Sequence, residues 1–207
     1  MSKETTNNVL VVVDCQKDFI SGSLPVKGAA KAVKNILSLI NSGVINEVIF
    51  TVDYHPVNHS SFKENGGEWP RHCVEYTEGA GINDELINAV VENQIPYVVI
   101  PKGTDPKVEN YSAFKLINVF DEDVFEYGLA PHYDNAEKSG LSLCTDPDAM
   151  NDNVIVCGLA GDVCVLNTLK ALKAVNPAVY VPGTASLDGG KALKEYIAKG
   201  CRTYIIK

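Results

Sequence analysis

Six short runs of apolar and β-branched residues, separated by helical patterns, constrain the fold of this chain more than any other feature. They lie at 9–13, 48–52, 97–100, 154–157, 178–181 and 203–206, and each is nearly continuously apolar. A strand with one wet face alternates apolar and polar residues, whereas an unbroken run marks a strand buried on both faces of a parallel sheet. Between the first two runs, Val33, Ile36, Leu37 and Ile40 recur at helical spacing. Leu86, Ile87, Val90 and Val91 do the same behind Asn83, a residue suited to cap a helix N-terminus. Val165, Leu166, Leu169, Leu172 and Val175 form a further stripe, and a last helix is expected over about 190–199. This alternation predicts a three-layer α/β/α sandwich around a mostly parallel, roughly six-stranded sheet. One domain over 1–207, behind a polar leader at 1–8, is expected. A long loop at 58–81 and the polar, weakly periodic stretch 115–150 stand outside the alternation, and the latter suggests no function.

Charge narrows the partners. The formal net charge is −8 and the Lys and Arg residues are scattered, so neither nucleic acid nor an anionic membrane is an expected partner. A neutral or cationic small molecule meets no electrostatic penalty from such a surface. No apolar run reaches the roughly 18–20 residues of a membrane span, and the leader lacks the apolar core of a secretory signal, so a cytoplasmic location is expected. The six cysteines, Cys15, Cys73, Cys144, Cys157, Cys164 and Cys201, include no Cys-x-x-Cys pair. Neither a zinc ribbon nor a disulfide framework is expected.

Open parallel α/β sheets bind ligands beyond the carboxyl ends of their strands. There the sequence places Asp14 after the first run, Asp53 and His55 after the second, Lys102 after the third, and Gly158 to Cys164 after the fourth. Cys164 follows a glycine-bearing turn and opens a helix, whose dipole and free amides favour a thiolate and can hold an oxyanion. Taken alone it reads equally as a buried structural cysteine, Asp14 as a turn former and Lys102 as a surface lysine. Together they suit nucleophilic chemistry: Asp14 takes the thiol proton and returns it to a leaving amine, and Lys102 favours both anions. Asp18 either orients Lys102 or caps its own loop.

Asp53 and His55, at i and i+2 of an extended segment, point the same way. With His72 from the long loop they make a carboxylate and two imidazoles, a set suited to one divalent ion: zinc, or alternatively iron or manganese. His59 and Glu64 are candidates for a fourth ligand. Phe19 and Trp69, beside Asp14 and His72, suit a pocket for a flat aromatic ring, with Tyr111 closing it.

The ordered set Asp14-x-Gln16-x-Asp18-Phe19, Asp53-x-His55-Pro56, His59-x-Ser61-Phe62, Trp69-Pro70-x-His72-Cys73, Lys102-Gly103, Tyr111-Ser112-Ala113-Phe114 and Gly158-Leu159-Ala160-x-Asp162-x-Cys164-Val165 resembles the nicotinamidase branch of the isochorismatase-like hydrolases. The resemblance spans about 9–206. It implies a triad of Asp14, Lys102 and Cys164, a metal on Asp53, His55 and His72, and a cis peptide between Leu159 and Ala160 that aims the Ala160 amide, beside that of Cys164, at the oxyanion. It further implies hydrolysis of nicotinamide, or of pyrazinamide, through a Cys164 thioester in NAD salvage. The ring would stack between Phe19 and Trp69 near Tyr111 and Leu159, its nitrogen toward the metal. A homo-oligomer is compatible with it. A ureido or carbamoyl amidase of the same superfamily, or a silent metal-binding protein on this scaffold, are the alternatives.

Overall fold

The structure, a computed structural model, describes residues 7–119, 122–127 and 153–206. Six strands, β1 (Asn8–Val13), β2 (Glu47–Asp53), β3 (Tyr97–Lys102), β6 (Asn153–Gly158), β7 (Ala178–Thr184) and β8 (Arg202–Thr203), form one sheet in the order β3-β2-β1-β6-β7-β8. Every pairing in it is parallel. The remaining strands, β4 (Phe114–Val119) and β5 (Glu122–Tyr127), make a separate antiparallel ribbon. The described helices are α1 (Lys17–Ile20), α2 (Ala29–Ile40), α3 (Asp84–Glu92), α4 (Cys164–Ala171) and α5 (Lys191–Ala198).

Unbroken apolar runs are explained by the two faces they serve. Leu10 and Val12 pack with Val33, Ile36 and Ile40 of α2 and Leu86 and Val90 of α3. Val9, Val11 and Val13 pack with Val165 and Leu169 of α4 and Leu193 of α5. The sheet is thus the middle of three layers, and a single polar substitution in β1 would bury an unpaired group on one face or the other. Asn83 caps α3 as expected, its side chain accepting from the Leu86 N–H at 3.2 Å.

Three details depart from the sequence reading. The stripe through Val175 is not one helix: α4 ends at Ala171 and a 3-10 turn covers Lys173–Val175. The last strand is shorter than expected. Tyr204 still donates to the Val179 carbonyl at 2.9 Å, but Ile205 is 75% exposed, so β-branched composition overstated an edge that leaves the sheet. The β4–β5 ribbon begins at Phe114 and runs into the polar, weakly periodic stretch, where no strand was expected; the rest of 115–150 lies outside the described residues. No helix among the described residues is long and apolar enough to cross a membrane.

Parallel pairing has one consequence for function. All carboxyl ends emerge at one edge, and register aligns them: Val13 stands opposite Thr51 and Gly158, and Asp53 stands opposite Lys102. Gly158 has a positive φ of 117°, and a Cβ there would overlap the Val13 backbone, so close approach of the two strand ends requires glycine.

Candidate active site

Lys102, the last residue of β3, has its ammonium buried among three acidic groups. It ion-pairs with Asp14 Oδ2 at 2.8 Å, donates to Asp53 Oδ1 and lies 3.6 Å from Cys164 Sγ. The chain turns sharply after β1 to present Asp14, which has a φ of 50°. Its carboxylate is fixed from the other side by the Thr51 hydroxyl, which donates to Oδ1 at 2.8 Å. Gln16, fully buried, accepts from the Asp53 N–H at 2.8 Å and donates to the Asp53 carbonyl at 2.7 Å. That reciprocal pair locks the end of β2 against the turn after β1.

These contacts set the ionisation states. Burial pushes Asp14 up to about 6, against the pull of Lys102 and with the help of Asp53. Burial likewise disfavours an Asp53 anion, yet the charge beside it, Lys102 foremost, holds the carboxyl well below its usual range. Lys102 is penalised by burial too, but Asp14, Asp53 and Cys164 keep it charged. The lowered Cys164 thiol expected from a helix start is reversed: burial, joined by Asp14 and Asp53, outweighs Lys102 and raises it well above the ordinary value. At neutral pH the resting cluster is therefore a neutral thiol beside a carboxylate that can receive its proton.

The second half of the site shares Asp53. Asp53 Oδ2 faces His55 Nε2 at 3.6 Å and His72 Nε2 at 3.8 Å. Each imidazole is steered through its other nitrogen: His55 Nδ1 lies 2.9 Å from the Gly103 carbonyl and His72 Nδ1 lies 2.7 Å from the Pro70 carbonyl. A carbonyl only accepts, so both Nδ1 atoms carry hydrogen and both neutral rings turn a lone pair toward Asp53. Gly103 permits this at a φ of 64°, since a Cβ would overlap the His55 ring. His55 Nε2 is buried with no hydrogen-bond partner. The three ligand atoms lie within 4.8 Å of one another, and an orphaned imidazole lone pair beside a carboxylate fits a divalent cation.

Beside both halves is a cavity lined by Phe19, Leu24, Val26, Asp53, Trp69, His72, Glu109, Tyr111, Ala160, Val163, Cys164 and Leu187. Phe19, Trp69 and Tyr111 thus meet at one cavity, with the Trp69 indole N–H donating to the Tyr111 hydroxyl at 3.3 Å. The Leu159–Ala160 peptide is cis. Among the described residues the Leu159, Gly161, Val163 and Val165 amides donate to backbone carbonyls, whereas those of Ala160, Asp162 and Cys164 do not.

Several candidates fall elsewhere. Leu159 is fully buried and absent from the cavity wall, because its side chain belongs to the apolar layer under α2. Glu64 is half-exposed and paired with Arg71, whose Nε donates to it at 2.7 Å; it stands outside the clusters able to hold an ion. Asp18 serves its loop rather than Lys102, accepting from the Cys73 N–H at 2.8 Å and the Ser23 N–H at 3.1 Å. The five described cysteines are free. Sequence reasoning missed Thr51, Glu109, Val163 and Leu187. Thr51 left a trace, a hydroxyl in the middle of an apolar run; the others lie on connections whose path only the fold fixes.

A thiol, an acid and a lysine gathered at the carboxyl edge of a parallel sheet define, by their chemistry, an α/β enzyme of the cysteine-hydrolase class. Residues 8–98 match the isochorismatase domain family. The nicotinamidase of Escherichia coli (strain K12) is 30% identical over 227 residues, covering 95% of this chain and 94% of that protein. The structure of PnC1 from L. infantum in complex with nicotinate is 30% identical, with a TM-score of 0.69 over 94% of this chain and 88% of that one. The pyrazinamidase of Pyrococcus horikoshii in complex with zinc is 27% identical, with a TM-score of 0.65 over 97% and 99%. The chain belongs to the nicotinamidase family of isochorismatase-like hydrolases.

Proposed function

We propose that this protein is a nicotinamidase, hydrolysing nicotinamide to nicotinate and ammonia. The observation that carries the reading is the Asp14–Lys102–Cys164 cluster opening on a cavity walled by Phe19, Trp69 and Tyr111. The flat apolar walls suit a pyridine ring, and the carboxamide then faces the thiol. Asp53, His55 and His72 are the residues that would hold a divalent ion, zinc as in the Pyrococcus relative. Such an ion supplies a Lewis-acidic partner for the ring nitrogen.

The chain's own residues carry the reaction. As sulfur attacks the carboxamide carbon, Asp14 takes the Cys164 proton, so no free thiolate accumulates. The carbonyl oxygen becomes an oxyanion met by the Ala160 and Cys164 amides, which lack backbone acceptors and belong to residues of the cavity wall. Collapse breaks the C–N bond, and the nitrogen leaves as ammonia with the proton from Asp14. A water then gives a proton to Asp14 as its oxygen attacks the thioester. Breaking the C–S bond releases nicotinate, and Cys164 recovers its proton. Lys102 balances the cluster throughout.

Ammonia release from nicotinamide by the purified, metal-loaded protein tests the reading. Cys164→Ala should lower the rate at least about a thousandfold while thermal stability and metal content hold. Failure of the wild-type protein to release ammonia, or a variant retaining more than a few per cent of the rate, would refute it.

A further inference from the structure

His59 was a candidate metal ligand, and its ring lies 4.2 Å from that of His55, centroid to centroid. With His55 and Glu109 it also falls within a group close enough to hold an ion, but its hydrogen bonds say otherwise. The Ser61 N–H, which can only donate, points at Nδ1 at 3.2 Å, and the Ser61 hydroxyl lies 2.7 Å from the same nitrogen. The Val108 carbonyl, which can only accept, lies 3.2 Å from Nε2. Nδ1 must therefore be bare and Nε2 must carry the hydrogen. This neutral tautomer has its one lone pair already engaged, and the ring is fully buried.

The turn that carries His59 touches both walls of the ring cavity. Toward one wall, the Ser60 N–H donates to the Pro106 carbonyl at 2.8 Å, in addition to the His59 bond to Val108. Glu109 and Tyr111, one and three residues beyond Val108, line the cavity. Toward the other wall, the Trp69 N–H donates to the Ser61 carbonyl at 2.9 Å, and the Lys63 N–H donates to the Trp69 carbonyl at 2.7 Å. The two walls then meet through the Trp69–Tyr111 bond.

We infer that His59 is a positioning residue for substrate: it brackets the Val108–Tyr111 wall to the Trp69 wall and sets the width of the ring slot without ligating the metal. The inference rests on the nicotinamidase reading for its substrate, but the tautomer argument stands apart from it. The two nitrogens also make the variants unequal. Gln places a donor near the position of Nε2 and can still reach Val108, whereas Asn reaches only as far as Nδ1.

The experiment compares His59→Asn, His59→Gln and Ser61→Ala with the wild-type protein, reading metal content per chain and steady-state kinetics on nicotinamide. Full metal occupancy is expected in all three. His59→Asn should raise KM about tenfold with kcat within about threefold, as for loss of one buried hydrogen bond that positions substrate. His59→Gln should restore KM to within about threefold of wild type, and Ser61→Ala should fall between. If His59→Asn does not fold, metal content and KM of the other two variants carry the decision. Loss of metal from His59→Gln would make His59 a ligand and overturn the inference, as would a KM unchanged in both His59→Asn and Ser61→Ala. A wild-type protein inactive on nicotinamide would refute the functional reading instead, while metal content would still separate ligand from bracket.

Discussion

Asp53 divides the site into two halves that are completed in different ways. Its Oδ1 belongs to the Lys102 cluster, where one ammonium answers Asp14, Asp53 and the Cys164 thiol, all supplied by the chain. Its Oδ2 faces two imidazole lone pairs with no cation of the chain between them, and His55 Nε2 is left without a partner. An unpaired buried polar atom costs about 1–3 kcal/mol. The first half is electrostatically closed by its own residues; the second is arranged to receive an ion from outside. Proton transfer draws on fixed charges that are always present, whereas a divalent ion in the second half would add a Lewis acid that its own side chains do not supply.

Breaking the closed half should have the larger effect. Lys102→Ala leaves Asp14 and Asp53 buried with no counter-charge, so kcat/KM should fall by about a hundredfold to a thousandfold and stability by about 3–5 kcal/mol. Urea unfolding followed alongside ammonia release checks both. A variant within tenfold of wild-type activity would mean that the cluster does not need its cation.

Emptying the open half should be milder and different in kind. Chelation should raise KM for nicotinamide about tenfold or more, and at least as strongly as it lowers kcat. Benzamide, which lacks the ring nitrogen, should be a correspondingly poor substrate of the loaded protein and should lose little on chelation. Equal efficiency for the two amides would separate the histidine cluster from ring recognition.

The smallest effect is a matter of pH, and it sharpens the difference. The reaction needs Asp14 ionised in order to accept the thiol proton, and Asp14 titrates at about 6. Below that value each pH unit should cost about tenfold in kcat/KM, so that activity at pH 5 is roughly a tenth of the plateau. Above it the profile should stay flat through pH 9, because the buried thiol is raised well above its ordinary value and gains nothing from mild alkali. Asp14→Asn should be low and flat throughout. A steady climb from pH 7 to 9 in the wild-type protein would show instead that thiolate forms without Asp14.

Much of this was legible in the sequence, for reasons tied to particular residues. Val9 to Val13 could only be a strand covered on both faces, and the parallel fold that follows delivers Asp14, Asp53, Lys102 and Cys164 to one edge. The pairing of Asp53 with His55 and His72 was readable too, from an i, i+2 spacing and a loop histidine. The fate of Glu64 was not. It lies nearer in sequence to His55 than His72 does, yet the turn at Lys63–Asn65 sends it outward to Arg71.

The sequence alone thus determined which chemical groups this protein has and which strand end each occupies, because strand burial and residue order are local properties. Only the tertiary structure decided what those groups do to one another. The raised Cys164 thiol, the commitment of both His59 nitrogens and the cavity wall at Glu109 each depend on atoms from distant segments. Desolvation and Coulomb interactions sum over everything within a few ångströms, whatever its place in the chain. No local reading of the residues around position 164 contains the burial, or the two carboxylates that join it, by which its expected ionisation is reversed.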